Sequence, residues 1–200
     1  MMSVLTQIGE IGIHAGRDVL LRPSLAAMSG LGEPAEIVDA FARVMAGDLA
    51  DCVAVLYACA DEDVSDLVGT FEAREGGGPL RYAAGALPVE HVVLLAQSLV
   101  RHGVVGVAKE QPRPADYKPE YMREFDAREH AALAMAHLGL TEREAWNMTM
   151  TGLVAALRAK FPPSAKDSPG ARAPSKEELD ASMEWFEKVE AARAAKEGVH

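Results

Sequence analysis

Between His137 and Pro163 the chain reads HLGLTEREAWNMTMTGLVAALRAKFPP, and this stretch restricts the fold more than any other. Gly139 follows an apolar run and suits the left-handed residue that closes a helix, with Leu140 placed to fold back on Met135. Thr141 can then accept a hydrogen bond from the amide of Glu144 while Glu144 reaches back to the amide of Thr141, so a second helix starts at once. Its apolar positions Trp146, Met150, Leu153, Leu157 and Phe161 recur at alternating spacings of four and three. That spacing predicts one helix with one apolar stripe, ended by Pro162-Pro163. A helical hairpin with an apolar face needs helical neighbours, and the expected fold class is mainly α.

The rest of the chain is punctuated in the same way. Ile8, Ile11 and Ile13 alternate with glycines and precede Val19-Leu20-Leu21, which predicts a short N-terminal β-hairpin turning at residues 14–17. Arg22-Pro23 ends the extended run, and Ser24 or Pro23 opens a first helix that Gly32 closes. Pro34 suits the first turn of the next helix, with Ile37, Val38, Phe41, Val44 and Met45 on its apolar face. Gly47-Asp48 is a stop followed by a cap, leading into a helix with Leu49, Cys52, Val53, Leu56 and Cys59. The acidic run 61–63 then caps a fourth helix with Val64, Leu67, Val68 and Phe71. After a glycine loop at 76–79, Leu87-Pro88 leads into a helix carrying Val89, Val92, Val93, Ala96, Leu99 and Val100 and ending near His102-Gly103.

Two later stretches change character. KEQPRPADYKPE, at 109–120, has three prolines and few apolar anchors, which suits an extended linker. PPSAKDSPGARAPSK, at 162–176, has almost nothing to bury and reads as a disordered tether. Ser175 with Glu178 would cap a last helix, in which Leu179, Met183, Phe186, Val189 and Ala192 face one way. The expected organisation is a hairpin plus helical domain over 1–107, a linker at 108–120, a helical hairpin at 121–161, the tether at 162–176 and an amphipathic helix at 177–196.

Composition excludes more function than it suggests. A formal charge of −10 repels a phosphate backbone, and no dense basic patch offsets it, so no nucleic acid partner is expected. The hairpin at 137–163 imitates a helix-turn-helix, but where a recognition helix presents Arg, Lys, Asn or Gln at its start, its second helix offers Glu142, Arg143 and Glu144 and then an apolar middle. No apolar run spans a bilayer, and Glu10 and His14 interrupt the region a signal peptide would need, so a soluble cytoplasmic protein without membrane contact is expected. Cys52 and Cys59 lie seven apart on one helix, too distant to bond, and read as reduced packing residues.

His130 and His137 are also seven apart and lack the further ligands that zinc requires, so no metal or other cofactor is expected. The glycine run at 76–78 continues into Pro79-Leu80-Arg81 instead of a Lys-Ser or Lys-Thr pair, and reads as a surface turn. Asp126, Glu129 and Glu142 sit at helix starts, where the dipole favours acids. No catalytic residue is expected.

Leu138-Gly139-Leu140, a short acidic turn and then Ala145-Trp146-Asn147-Met148-Thr149 resembles the Trp-x-[Met/Leu]-Thr signature of tail assembly chaperones of bacteriophages with long non-contractile tails. Residues 19–27, followed by a helix, Gly47 and another helix, resemble the N-terminal regions of those chaperones and of their gene-transfer-agent relatives. Where that family usually carries a proline and an acid after the threonine, this chain has Met150, Thr151 and Gly152. The resemblance implies a non-enzymatic phage protein of the host cytoplasm, absent from the mature virion. It would bind the hydrophobic tape measure protein and bring tail tube protein subunits to it; the alternative is a structural or adaptor protein of the particle. Partner contact is expected from Trp146, Met148 and Met150 on the hairpin and from Leu179, Met183 and Phe186 on the last helix. Trp146 and the methionines suit core packing as well as an adaptable groove, and assembly into a homo-oligomer stays open.

Overall fold

The first strand can form only because its partner follows within one turn. In the computed structural model, which describes residues 4–73, 78, 80–107 and 122–162, β1 (Ile11–His14) pairs antiparallel with β2 (Asp18–Leu21). The register sets Ile11 opposite Leu21 and His14 opposite Asp18. Val19 and Leu21 point into the core with no exposed surface, as the two-residue period of a strand requires. Arg17, in the turn, lies 2.6 Å from Glu62 and 2.8 Å from Asp66. This contact ties the hairpin tip to the acidic turn after the third helix.

Ser24 accepts a hydrogen bond from the amide of Ala27 and opens α1 (Leu25–Ser29). Pro34 stands at the start of α2 (Pro34–Ala46), where Glu33 and Glu36 form a reciprocal capping box, and Gly47 closes it with φ +86°. Asp48 takes the amides of Ala50 and Asp51 and opens α3 (Leu49–Cys59). Along α3, Cys52, Val53, Val55, Leu56 and Cys59 are buried, and the helix packs along α5 (Val89–Val100) through Val92, Ala96, Leu99 and Val100. Beyond Val100 the helix widens into a π-helical turn, Arg101–Val105.

Three expectations need correction. The helix after the acidic run, α4 (Ser65–Val68), ends four residues in, and Phe71 is not on its apolar face. Gly69, at φ +83° and ψ 178°, turns the chain into β3 (Thr70–Glu72), which pairs with β4 (Arg81–Ala83) as a second hairpin. Phe71 stacks across this pair on Tyr82, with ring centroids 5.3 Å apart. The hydroxyl of Tyr82 donates to the carbonyl of Val68 at 2.7 Å.

The second correction concerns organisation. The segment expected as a separate helical hairpin, 121–161, is not a body of its own: all described residues fall in one compact unit. Asp126 caps α6 (Ala127–Leu138) through the amide of Arg128, and Gly139 closes that helix with φ +68°. The amide of Phe125 donates to the carbonyl of Pro34 at 2.9 Å, and that of Leu25 to the carbonyl of Met148 at 2.8 Å. Ala131 and Ala134 are buried, and α6 packs on α1. All of the linker expected at 108–120 and all of the amphipathic helix at 177–196 lie outside the described residues, as does the tether beyond Pro162.

The single helix expected from Glu142 to Phe161 is two. The capping box at Thr141 and Glu144 opens α7 (Glu142–Trp146), but the chain turns at Asn147-Met148, and Thr149 caps a new helix, α8 (Met150–Lys160). The cause is tertiary. Thr149 forms an isolated antiparallel bridge with Ser24, and Met148 gives its carbonyl to Leu25, so these residues serve α1 rather than their own helix. Thr149 is only 1% exposed, and its hydroxyl accepts from the amide of Gly152 at 3.1 Å. Thr149→Ala is therefore expected to cost about 1 to 2 kcal/mol, the upper range for a lost N-cap. Urea denaturation with an unchanged m-value would register it.

Candidate interaction surface

The stripe expected on the second helix of the 137–163 hairpin runs from the core out to solvent. Leu153 has no exposed surface and Met150 is 8% exposed, so both pack in the core. Trp146 is half-buried and lines a narrow cleft with Pro34, Ile37 and Phe125. Met148 is half-buried too, with its side chain near Gly152 and Ile8. Leu179, Met183 and Phe186 lie outside the described residues.

Further along α8 the apolar side chains come up to the surface. Leu157 is half-buried and Phe161 is 54% exposed, and between them and Leu133 of α6, 38% exposed, lies an open apolar groove with His137 and Arg158 at its edge. Both α6 and α8 end here. The Lys160 ammonium donates to the carbonyl of His137 and so satisfies one of the last acceptors of α6. The His137 imidazole meets the Phe161 ring edge-on at 5.4 Å, and the Lys160 ammonium stands 6.0 Å from the centre of the same ring. Phe161 makes these contacts although more than half of it faces water. Lone exposed apolar side chains are ordinary; three converging on one groove are the pattern of a contact site.

Sequence spacing missed this groove because it needs Leu133 as well as Leu157 and Phe161. The signal was a pair of four-residue intervals, 133–137 on α6 and 157–161 on α8, each placing two side chains on one helix face.

Reactive chemistry is sparse among the described residues. Burial pushes the Cys59 thiol up to about 12 and, with help from Asp48 and Asp51, the Cys52 thiol to about 11. Neither is a thiolate nucleophile at neutral pH. His130 and His137, two turns apart, serve different neighbours: His130 packs on Phe125 at 5.0 Å and His137 on Phe161. Among the described residues no three histidine, cysteine or carboxylate side chains are grouped to hold a metal ion, and no helix is long and apolar enough to cross a membrane.

His102 links the two halves of the fold. Its Nδ1 lies 2.9 Å from the Thr151 hydroxyl, which also accepts from the amide of Val107 at 2.9 Å. Burial holds the imidazole below its ordinary value of 6.5, and His130 is lowered for the same reason. The unfolded chain therefore takes up these protons first as pH falls, so stability declines from about pH 6.5 down to the folded-state values and levels off below them. The melting temperature is expected to drop between pH 7.5 and 5.5, and His102→Gln should flatten that slope. An unchanged slope in the variant would remove His102 as a cause.

Residues 48–181 match the family of unknown function DUF6246. The chain belongs to that family. The matched region takes in α3 to α8 and so includes the whole groove, while the N-terminal hairpin, α1 and α2 of this DUF6246 member precede it. No curated protein and no solved structure matches the chain. Membership leaves the activity open, and function has to be read from the surface.

Proposed function

We propose that this chain is a non-enzymatic tail assembly chaperone of a bacteriophage, acting in the host cytoplasm and absent from the mature virion. It holds an apolar helical segment of the tape measure protein and helps recruit tail tube subunits. The observation that carries the binding role is the exposed groove between Leu133, Leu157 and Phe161 at the joint ends of α6 and α8. A half-exposed aromatic beside two leucines is the form of an anchor site for an amphipathic helix. The identity of the partner comes from elsewhere, from the resemblance at Ala145 to Thr149.

Co-expression with a tape measure protein from the same phage should keep that protein soluble, and Phe161→Asp combined with Leu133→Asp should abolish the effect. Phe161→Ala alone should weaken binding tenfold or more, the scale of a lost aromatic anchor. Both positions are exposed, so the variants should keep the helical circular dichroism of the parent. Trp146→Ala is the less informative change, because Trp146 packs against the core and its loss also destabilises the fold. A folded parent that solubilises no tape measure protein and is recovered in purified virions would instead be a structural or adaptor protein of the particle.

A further inference from the structure

We propose that a second site, the polar cleft between the start of α1, the end of α3 and α7, binds a small zwitterion, with the ligand's carboxylate on Arg22 and Arg143 and its ammonium on Asp61. Amino acids and short peptides have that chemistry. The cleft shares no lining residue with the apolar groove, so the inference goes beyond the chaperone reading and stands apart from it.

The cleft measures about 590 Å³, within the range of small-molecule sites. Arg22, Ser24, Asp61, Arg143 and Asn147 supply its polar lining, and Cys59 with alanines of α1 and α3 completes the wall without charge. Arg143 and Asp61 are exposed and of opposite sign, yet their side chains pair neither with each other nor with any other group among the described residues. The side-chain amide of Asn147 has no hydrogen bond there either. Elsewhere on this surface Arg17 and Arg43 each close onto an acid at 2.8 Å or less. An acid and a base that face one cleft without meeting leave room for a ligand that satisfies both.

Arg22 is positioned rather than free. Glu10, buried and outside the cleft lining, lies 2.7 Å from its Nη2, and a guanidinium has five donors, so Arg22 keeps N–H groups for the cleft. Its Nε and one Glu10 oxygen are buried without a directed hydrogen bond, a cost to stability that packing does not explain. Orienting a guanidinium at a binding site does explain it. Charge then decides the ligand class. Glu10 offsets Arg22 and Asp61 offsets Arg143, so the site is close to neutral on a chain of charge −10. A plain anion is opposed by Asp61 and a plain cation by the two arginines, whereas a zwitterion sets an opposite charge against each. Paired guanidinium donors also fix the orientation of a carboxylate.

Amide NMR spectra of the full-length chain would be followed while glycine, triglycine, acetate or methylammonium is added to millimolar concentrations at constant ionic strength. Glycine or triglycine should shift the Asn147 side-chain amide saturably and bind at least roughly tenfold tighter than acetate or methylammonium, the scale of one charge-assisted contact. Whichever of the two binds tighter tells a free amino acid from a peptide as the source of the chemistry. Arg143→Ala should weaken both zwitterions by a similar factor. Asp61→Asn should weaken them too, but tighten acetate. Both positions are exposed, and the same spectra report whether the variants stay folded. Acetate binding as tightly as glycine and triglycine, with all three strengthened by Asp61→Asn, would overturn the zwitterion in favour of a plain anion. No saturable shift at Asn147 with any probe would overturn the site itself.

Discussion

Arg22→Ala should lower the stability of this protein by about 3 to 5 kcal/mol, the range for stranding one member of a buried ion pair. The stranded group is Glu10, whose side chain is 1% exposed. One of its oxygens accepts from the amide of Leu5 at 2.8 Å, and the other lies 2.7 Å from Nη2 of Arg22. That second contact is close but poorly aligned, and neither this oxygen nor the buried Nε of Arg22 makes a directed hydrogen bond. The pair is held by charge, which makes the loss of one charge more costly than the loss of both. Arg22 is 36% exposed and can turn to water, so Glu10→Ala should cost clearly less than Arg22→Ala. The double change Glu10→Leu with Arg22→Met should recover most of the stability. Urea denaturation of the four proteins gives the ranking; an Arg22→Ala cost below about 1 kcal/mol would mean that Glu10 finds water despite its burial.

Gly85→Ala should cost close to 3 kcal/mol, the upper part of the usual overpacking range. A Cβ built there would sit 2.4 Å from the carbonyl oxygen of Leu67 and 2.5 Å from the amide nitrogen of Gly69. Both obstacles are backbone, and neither can swing aside like a side chain. The strain falls on the place where the chain leaving α4 crosses the chain entering α5, joined by Leu87 N–H to Leu67 O at 2.8 Å. Gly16→Ala is the control. Its φ of +76° is strained for alanine, but no atom stands within 4 Å, so only the conformational cost of about 1 to 2 kcal/mol applies. Thermal melts that rank the two alike would show that the crossing can open.

That crossing also marks where sequence reading failed. Gly47-Asp48, Glu33-Pro34 and Gly139 with Thr141 announce their helix ends because each cap is satisfied by atoms within a few residues. Local chemistry of that kind can be read from spacing alone. Phe71 reads as helical because it continues the interval from Leu67 and Val68; the stop at Gly69 depends on a neighbour at residues 81–85, beyond any helical window. The division of the 142–161 stripe is hidden for a related reason. Trp146 and Met150 keep the four-residue interval across the break, and what breaks the helix is Ser24 and Leu25, at the other end of the chain. The groove is half legible: Leu157 and Phe161 lie on the expected stripe, but their exposure depends on where α6 stops covering them.

The bridge between Ser24 and Thr149 also sets a schedule for synthesis. The amide of Leu25 and the backbone of Ser24 leave the ribosome roughly 125 residues before their partners do, an interval on the order of ten seconds at ordinary elongation rates. Throughout it, the face of α1 that will meet α6 and α7 stays uncovered. A nascent chain halted before α6 would therefore be protease-sensitive at residues 22–30 even with α2 to α5 already folded, and release of the last helices would close that window in a single late step.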